Sequence, residues 1–425
     1  MKVLMLGWEF PPFISGGLGT ACYGLTRAMS CLDVEIIFVL PKVVDSAYTT
    51  HVKLLSPTPI DAEPAVAQGR RAAVTLRHID SPLKPYCTVS SYEKHIEQIH
   101  AWNQDFAGGR EHDTGFGGDY AGDMYSEVQR YADLVTELAS GEQFDLIHAH
   151  DWMTYPAAMA AADMSGKPLV AHIHSTEFDR SGENVNQAIY DIERAGFYRA
   201  DRIIAVSHFT RNIVLNRYAV TGDKVEVAHN GVDNNGGLFA ASCSAATAKT
   251  VLFLGRITMQ KGPEYFLMAA KKVLEVLGDV RFIMVGSGDM LNRSIELAAG
   301  LGIGGRVSFT GFLRGRQVED IYRMADLCVM PSVSEPFGIV PLEALCNDIP
   351  VIISKQSGVS EVIRHALKVD FWDVDEMANK IIGVLRHRPL QVTLRNYGNC
   401  EARKLRWADT ARKCVQVYRQ VLAGS

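Results

Sequence analysis

Two glutamates eight positions apart, Glu335 and Glu343, stand in the segment PSVSEPFGIVPLEAL, Pro331 to Leu345. The segment follows an apolar run, Leu327 to Met330, and reads as strand, loop and helix. A helix beginning near Gly338 places Pro341 in its first turn, where proline is tolerated. Eight helical residues span about 12 Å. That separation suits the two ends of one extended ligand rather than a paired acid and base. One carboxylate would accept sugar hydroxyls and the other ribose hydroxyls. Between them Phe337 and the amides of Gly338, Ile339 and Val340 would meet phosphates at a helix N-terminus.

A second group is LGRITMQKG, Leu254 to Gly262, in which Arg256 and Lys261 lie on a loop that enters a helix. Two cations at the carboxyl edge of a parallel sheet can neutralise a departing diphosphate. A third is SGGLGT, Ser15 to Thr20, read as a glycine-rich turn over 15–19. Gly16 and Gly17 there let backbone approach a ligand closely. Its spacing is not that of a dinucleotide fingerprint. A fourth is rich in histidine: HAHDW, His148 to Trp152, and AHIHSTEF, Ala171 to Phe178. An HxH pair on a strand puts both rings on one face, with no third and fourth zinc ligand in view. A histidine such as His174, or Asp151, at a strand end is better placed to bind sugar hydroxyls. Asp373-Val374-Asp375 precedes a helical pattern and reads as an N-cap. No metal is expected.

The elements that hold these groups follow from the apolar pattern. Continuous apolar runs mark strands covered on both faces. They fall at 3–6, 34–40, 144–148, 169–174 and 202–206, and again at 251–254, 281–285, 307–310, 327–330 and 351–353. Helical patterns between them indicate parallel α/β architecture. The segment 234–249, small and polar, reads as a linker. The 51–95 stretch carries weak strand patterns, and the glycine-rich 107–122 stretch reads as a loop. The final pattern predicts one helix over 396–422 with Trp407, Val415, Tyr418 and Val421 on its packing face. A chain of 425 residues exceeds the usual single core, so two domains are expected. Net charge is -5 and charged residues make up 21%, which argues against nucleic acid as the main partner. Eight cysteines without a CxxC pair fit a reducing, cytoplasmic compartment. The first apolar run is too short for a signal peptide or a membrane span.

Taken together, SEPFGIVPLEAL, GRxxxxKG, GGLG, HxHDW and the stretch ending in HNGVD resemble the retaining glycosyltransferases of the GT-B fold. The resemblance is to the group that includes glycogen and starch synthases, and it runs over nearly the whole chain. It implies two Rossmann-like domains with parallel sheets facing a central cleft. The first would cover 1–235 and bind acceptor; the second would cover 248–404 and bind donor. A C-terminal helix, about 405–425, would cross back to the first. It implies that Arg256 and Lys261 hold the diphosphate, Glu335 the donor sugar and Glu343 the ribose. Gly16 and Gly17 would line the phosphate side, with His174 and Asp151 near the transferred sugar. Backbone around Gly311 and Phe312 would contact the nucleobase. ADP-glucose-using bacterial glycogen synthases typically carry a lysine before the paired glycines, where this chain has Ser15.

The expected reaction moves glucose from UDP- or ADP-glucose to a carbohydrate acceptor such as an α-glucan, with no further cofactor. Retention of configuration is expected by same-face substitution, with the departing phosphate helping to deprotonate the acceptor. The rival reactions are synthesis of a small glycoside or disaccharide, and epimerisation of the nucleotide sugar.

Overall fold

A computed structural model describes residues 1–11, 16–41, 52–54, 74–78, 124–233 and 248–424. Ser15, Cys87, Cys243, the 107–122 stretch, most of 51–95 and nearly all of the 234–249 segment lie outside them.

The described chain is α/β with two sheets. The first contains β1 (Lys2–Leu6), β2 (Glu35–Leu40), β3 (Val52–Leu54), β4 (Val74–His78), β5 (Leu146–His150), β6 (Leu169–Ile173), β7 (Arg202–Ala205) and β8 (Val225–Val227). Its order is β3-β4-β2-β1-β5-β6-β7-β8. The second contains β9 (Lys249–Leu254), β10 (Val280–Val285), β11 (Val307–Gly311), β12 (Leu327–Met330), β13 (Val351–Ser354) and β14 (Leu367–Val369), in the order β11-β10-β9-β12-β13-β14. Every pairing resolved residue by residue is parallel.

The continuous apolar runs have a physical reason in the second sheet. Successive residues of a strand point to opposite faces. Val251, Phe253, Phe282, Met284, Leu327 and Val329 enter one core. Leu252, Ile283, Val285, Cys328 and Met330 enter another. Both faces of the strand interiors are thus covered, which is why their residues are apolar without alternation.

The chain also separates by packing into two compact units. One holds Met1–His172, Asp191–Ile203 and Val415–Ser425; the other holds Ile173–Tyr190 and Ile204–Cys414. Among the described residues no helix is long and apolar enough to cross a membrane. The six described cysteines are free thiols.

Three sequence expectations need correction. The strand expected over 144–148 runs two residues later, so His150 joins His148 within it. Their rings are fully buried and stacked, with centroids 4.4 Å apart. The glycine turn is shorter than expected, because helix α1 (Gly17–Met29) already includes Gly17, Leu18 and Gly19. The single helix expected over 396–422 is two helices, Arg388–Ala402 and Trp407–Ala423. The turn between them gives the Leu405 carbonyl to the Val232 amide at 2.9 Å, a bond an unbroken helix would forbid. Trp407, Val415, Tyr418 and Val421 are buried as expected.

Candidate active site

In each sheet the chain reverses its direction of growth once. The second sheet adds β10 and β11 on one side of β9, then β12, β13 and β14 on the other. Ligands of open α/β sheets sit beyond the carboxyl ends of the strands at such a switch point. The loop after β9 carries Arg256 and Lys261, and the loop after β12 carries Glu335 to Gly338. The fold therefore brings two sequence-distant groups to adjacent strand ends.

Their side chains meet. Lys261 Nζ donates to Glu335 Oε2 at 2.5 Å. Glu335 is 6% exposed and accepts the Ser332 hydroxyl at 3.3 Å. Arg256 donates to Gln260 Oε1 at 3.0 Å. The Gln260 carbonyl in turn accepts the Val333 amide at 2.9 Å. Gln260 thus ties the cationic loop to the glutamate loop, a part invisible in the sequence because a backbone carbonyl performs it.

Glycine makes this contact possible. Gly262 has φ +66, and a Cβ there would lie 2.2 Å from the Pro331 carbonyl oxygen. It caps helix α7 (Pro263–Val276), with proline at the first helical position. Gly338, φ +104, caps helix α10 (Ile339–Cys346). Pro341 falls in the first turn of α10, where its missing N–H has no helical partner to lose. The turn ahead of α10 is pinned from several sides. The Glu335 amide donates to Gln356 O at 2.9 Å, and the Phe337 carbonyl accepts the Val359 amide at 2.6 Å. The Pro336 carbonyl accepts the Ser207 hydroxyl at 2.5 Å. The first-turn amides of α10, from Ile339 and Val340, have no intrahelical acceptor.

Glu343 lies on α10, half-buried, and accepts the Tyr322 hydroxyl at 3.0 Å. Burial pushes its carboxyl up, against the lowering effect of that hydrogen bond. Gly311 ends β11 with φ +72 and gives its carbonyl to the Gly286 amide at 2.9 Å. Phe312 beyond it is exposed, with the Arg314 guanidinium 5.1 Å over its ring. His174 follows β6 and is half-buried. Burial holds its imidazole down at about 3. Asp179, from the short helix Glu177–Ser181, is buried and accepts the Ser334 hydroxyl at 2.5 Å. That bond ties a second loop to the glutamate turn. Asp179 was not singled out from sequence. Its signal was the T-x-x-D spacing, which forms a capping box with Thr176.

The remaining expected residues belong to the first unit. The first sheet switches direction between β1 and β5. Asp151 follows β5 with φ +60, an uncommon conformation for a side chain with a Cβ, and is buried. Trp152 meets Trp8 edge to face, with centroids 6.1 Å apart. Gly16 stands at the N-cap of α1 in extended conformation. Gly17 is exposed, and a Cβ there would meet nothing within 4 Å, so packing does not require glycine. The fully buried Glu9 accepts the Gly19 amide at 2.9 Å. One donor of this helix end is therefore engaged by the protein's own carboxylate, which sequence reading passed over.

His148, His150 and His172 form a buried group, with His148 bonded to Tyr418 and, at 3.1 Å, to His172. Both nitrogens of His148 have protein partners, Tyr418 and His172. Asp373, in the DxD segment, accepts the Glu376 amide at 2.9 Å and caps its helix as expected.

Comparison with known proteins adds to this geometry. The family model for glycosyl transferases group 1 matches residues 239–400. The model for glycosyltransferase family 4 matches residues 117–235. Together they span about two-thirds of the chain. The chain is a GT-B glycosyltransferase. This GT-B enzyme is 28% identical over 440 residues to an uncharacterized glycosyltransferase of Methanocaldococcus jannaschii, covering 99% of this chain and 98% of the relative. It is 24% identical to a glycogen synthase of Mycobacterium tuberculosis, over 85% of this chain and 80% of that one. Among solved structures it is similar to sucrose-phosphate synthase from Thermosynechococcus elongatus, with a TM-score of 0.70, 20% identity and full coverage of both chains.

Proposed function

We propose that this glycosyltransferase takes glucose from UDP- or ADP-glucose and transfers it, with retained configuration, to an α-glucan end. The observation that carries the reading is the contact of Lys261 with Glu335 beside the N-terminus of α10. A cation, a carboxylate and unbonded helix amides at one strand edge suit a group that is an anion at one end and a polyol at the other. The leaving diphosphate takes Arg256, Lys261 and the amides of Gly338, Ile339 and Val340. In this arrangement Lys261 leaves Glu335 for the phosphate, and the freed carboxylate accepts hydroxyls of the sugar. Glu343 accepts ribose hydroxyls, and backbone at Gly311 and Phe312 meets the base. The half-buried imidazole of His174 is neutral at working pH and bonds a sugar hydroxyl. No protein carboxylate is assigned as a covalent nucleophile, so the displaced phosphate oxygen accepts the acceptor proton on the face where it leaves. Similarity to a glycogen synthase favours a glucan acceptor.

Product analysis tests the reading. UDP- and ADP-glucose are each supplied with glycogen, maltotriose or a small polyol, and products are read by mass and proton NMR. Extended maltooligosaccharide with the small anomeric coupling of an α-linkage is expected. Transfer confined to the small polyol removes the glucan assignment, a β-linked product removes retention, and a changed sugar without acceptor indicates epimerisation.

A further inference from the structure

Three segments of the second unit bring metal-ligating side chains together. Helix α6 (His208–Tyr218) begins with His208, the loop after β8 supplies His229, and the turn Gly358–Glu361 supplies Glu361. One ligating atom from each lies within 4.8 Å of the other two. His229 Nε2 is 3.1 Å from Glu361 Oε2. The His208 ring meets the His229 ring edge to face, with centroids 5.8 Å apart. Spacing in the sequence cannot show this group, because Glu361 follows His229 by 132 positions.

Two of the three side chains are held in place. Glu361 accepts the His208 amide on Oε2 at 2.9 Å and the Phe209 amide on Oε1 at 2.6 Å. Each carboxylate oxygen has two lone pairs, so Oε2 keeps one for the His229 ring. The His229 carbonyl accepts the Thr410 hydroxyl at 2.7 Å, and its ring lies 5.8 Å from that of Phe337. The side chains of His229 and Glu361 are each 23% exposed, so an ion from solvent reaches both. His208 is exposed, and its ring is free to turn toward them.

Two ligands of a tetrahedral zinc ion, each about 2.0–2.1 Å from the metal, stand about 3.3 Å apart. The His229–Glu361 separation is already close to that. A simple imidazole–carboxylate pair needs no second imidazole, whereas a metal ion uses His208 as its third ligand and water as its fourth. Two imidazoles and one carboxylate suit zinc, while magnesium and calcium take oxygen ligands.

We propose that His208, His229 and Glu361 bind one zinc ion, contrary to the expectation from sequence. His229 Nε2 carries the proton that Glu361 accepts. To ligate through Nε2, the neutral ring takes its other tautomer, with the proton on Nδ1. The two amides on Glu361 then serve as the outer partners that orient a ligating carboxylate. The ion is structural. It joins the start of α6 to the 358–361 turn, and both of these hold the donor turn. The Ser207 hydroxyl donates to Pro336 O at 2.5 Å, the Gly358 amide to Glu335 O at 2.9 Å and the Val359 amide to Phe337 O at 2.6 Å. Zinc therefore stiffens the donor turn from behind, whatever sugar or acceptor the enzyme uses.

Metal-free full chain bearing Cys31→Ser and Cys400→Ser, which removes the exposed thiols among the described cysteines, provides the test. It is titrated with zinc chloride by calorimetry and with cobalt(II) chloride by absorption. One equivalent of zinc should bind and raise the melting temperature, and magnesium should do neither. Cobalt should give the visible bands of a tetrahedral site without the charge-transfer band of a thiolate ligand. His208→Ala alters an exposed side chain, and His229→Gln keeps a donor toward Glu361, so both variants should fold. Each should weaken zinc by at least about tenfold, the loss that follows even from removing an outer partner of a metal ligand. No stoichiometric zinc site, a thiolate charge-transfer band, or zinc affinity unchanged in either variant overturns the proposal.

Discussion

Lys261→Ala removes the cation that closes on Glu335 at 2.5 Å and leaves a carboxylate that is 6% exposed. Two costs follow, and they can be separated. The first is stability. Breaking a fully buried pair costs about 3–5 kcal/mol. The Lys261 side chain is 19% exposed, so water reaches the pair, and the Ser332 hydroxyl stays on Glu335. The figure then falls toward that of an unsatisfied buried group, about 1–3 kcal/mol. The second is rate. A group that stabilises charge only as it develops contributes about 10²–10³ in kcat, or about 2.7–4 kcal/mol. The double variant Lys261→Ala/Glu335→Gln divides the two, because a neutral amide no longer needs the cation. Urea melts should show most of the stability restored. Steady-state kinetics with nucleotide-glucose should show kcat still lowered by two orders or more. Recovery of kcat in the double variant would refute the reasoning, since Lys261 would then act only as the partner of Glu335.

Three further outcomes follow from the same site. Burial raises the Glu343 carboxyl, so the folded state holds its proton more tightly than the unfolded chain. The stability this supplies is present below the ordinary carboxylate value and is lost as pH rises through the folded one. The melting temperature of Glu343→Gln, measured against wild type, should therefore gain steadily from pH 4.5 to 7, and a flat difference contradicts the shift. His174 works in the opposite sense, because its value is lowered to about 3. Its contribution is present above the ordinary histidine value and is lost as pH falls. His174→Gln should flatten the acid limb of the stability curve below about pH 6.5, and the His174 ring signal should not titrate between pH 8 and 5 by NMR. Gly262→Ala combines φ +66 with a Cβ 2.2 Å from Pro331 O, and should cost at least about 1–3 kcal/mol in urea melts and lower kcat.

Local chemistry was legible in the sequence where it depends on neighbours in the chain. The turn from Glu335 to Gly338, the proline in α10 and the cap at Asp373 follow from spacing alone. Apolar runs located the strands because both faces of the second sheet are covered. Long-range partners were not legible. His148 and His150 read as a pair on one face of a strand, yet nothing in their spacing points to Tyr418, 270 positions away from His148, which gives one of them a buried partner. The break before Trp407 was missed because helical periodicity continues on both sides of it. The turn that follows the first helix gives the Leu405 carbonyl to Val232, far back in the chain. Glu9 and Asp179 escaped notice for a similar reason. Each is an ordinary acidic residue until the fold places an amide or a serine hydroxyl against it.

Calorimetric binding of UDP to wild type, Arg256→Ala and Lys261→Ala addresses the donor assignment most directly, since it requires no acceptor and no turnover. Each loss of a charge-assisted bond to the diphosphate should weaken UDP by about tenfold or more, while uridine, which lacks phosphate, should bind all three proteins alike. UDP affinity unchanged in both variants contradicts a diphosphate held at the ends of β9 and β12.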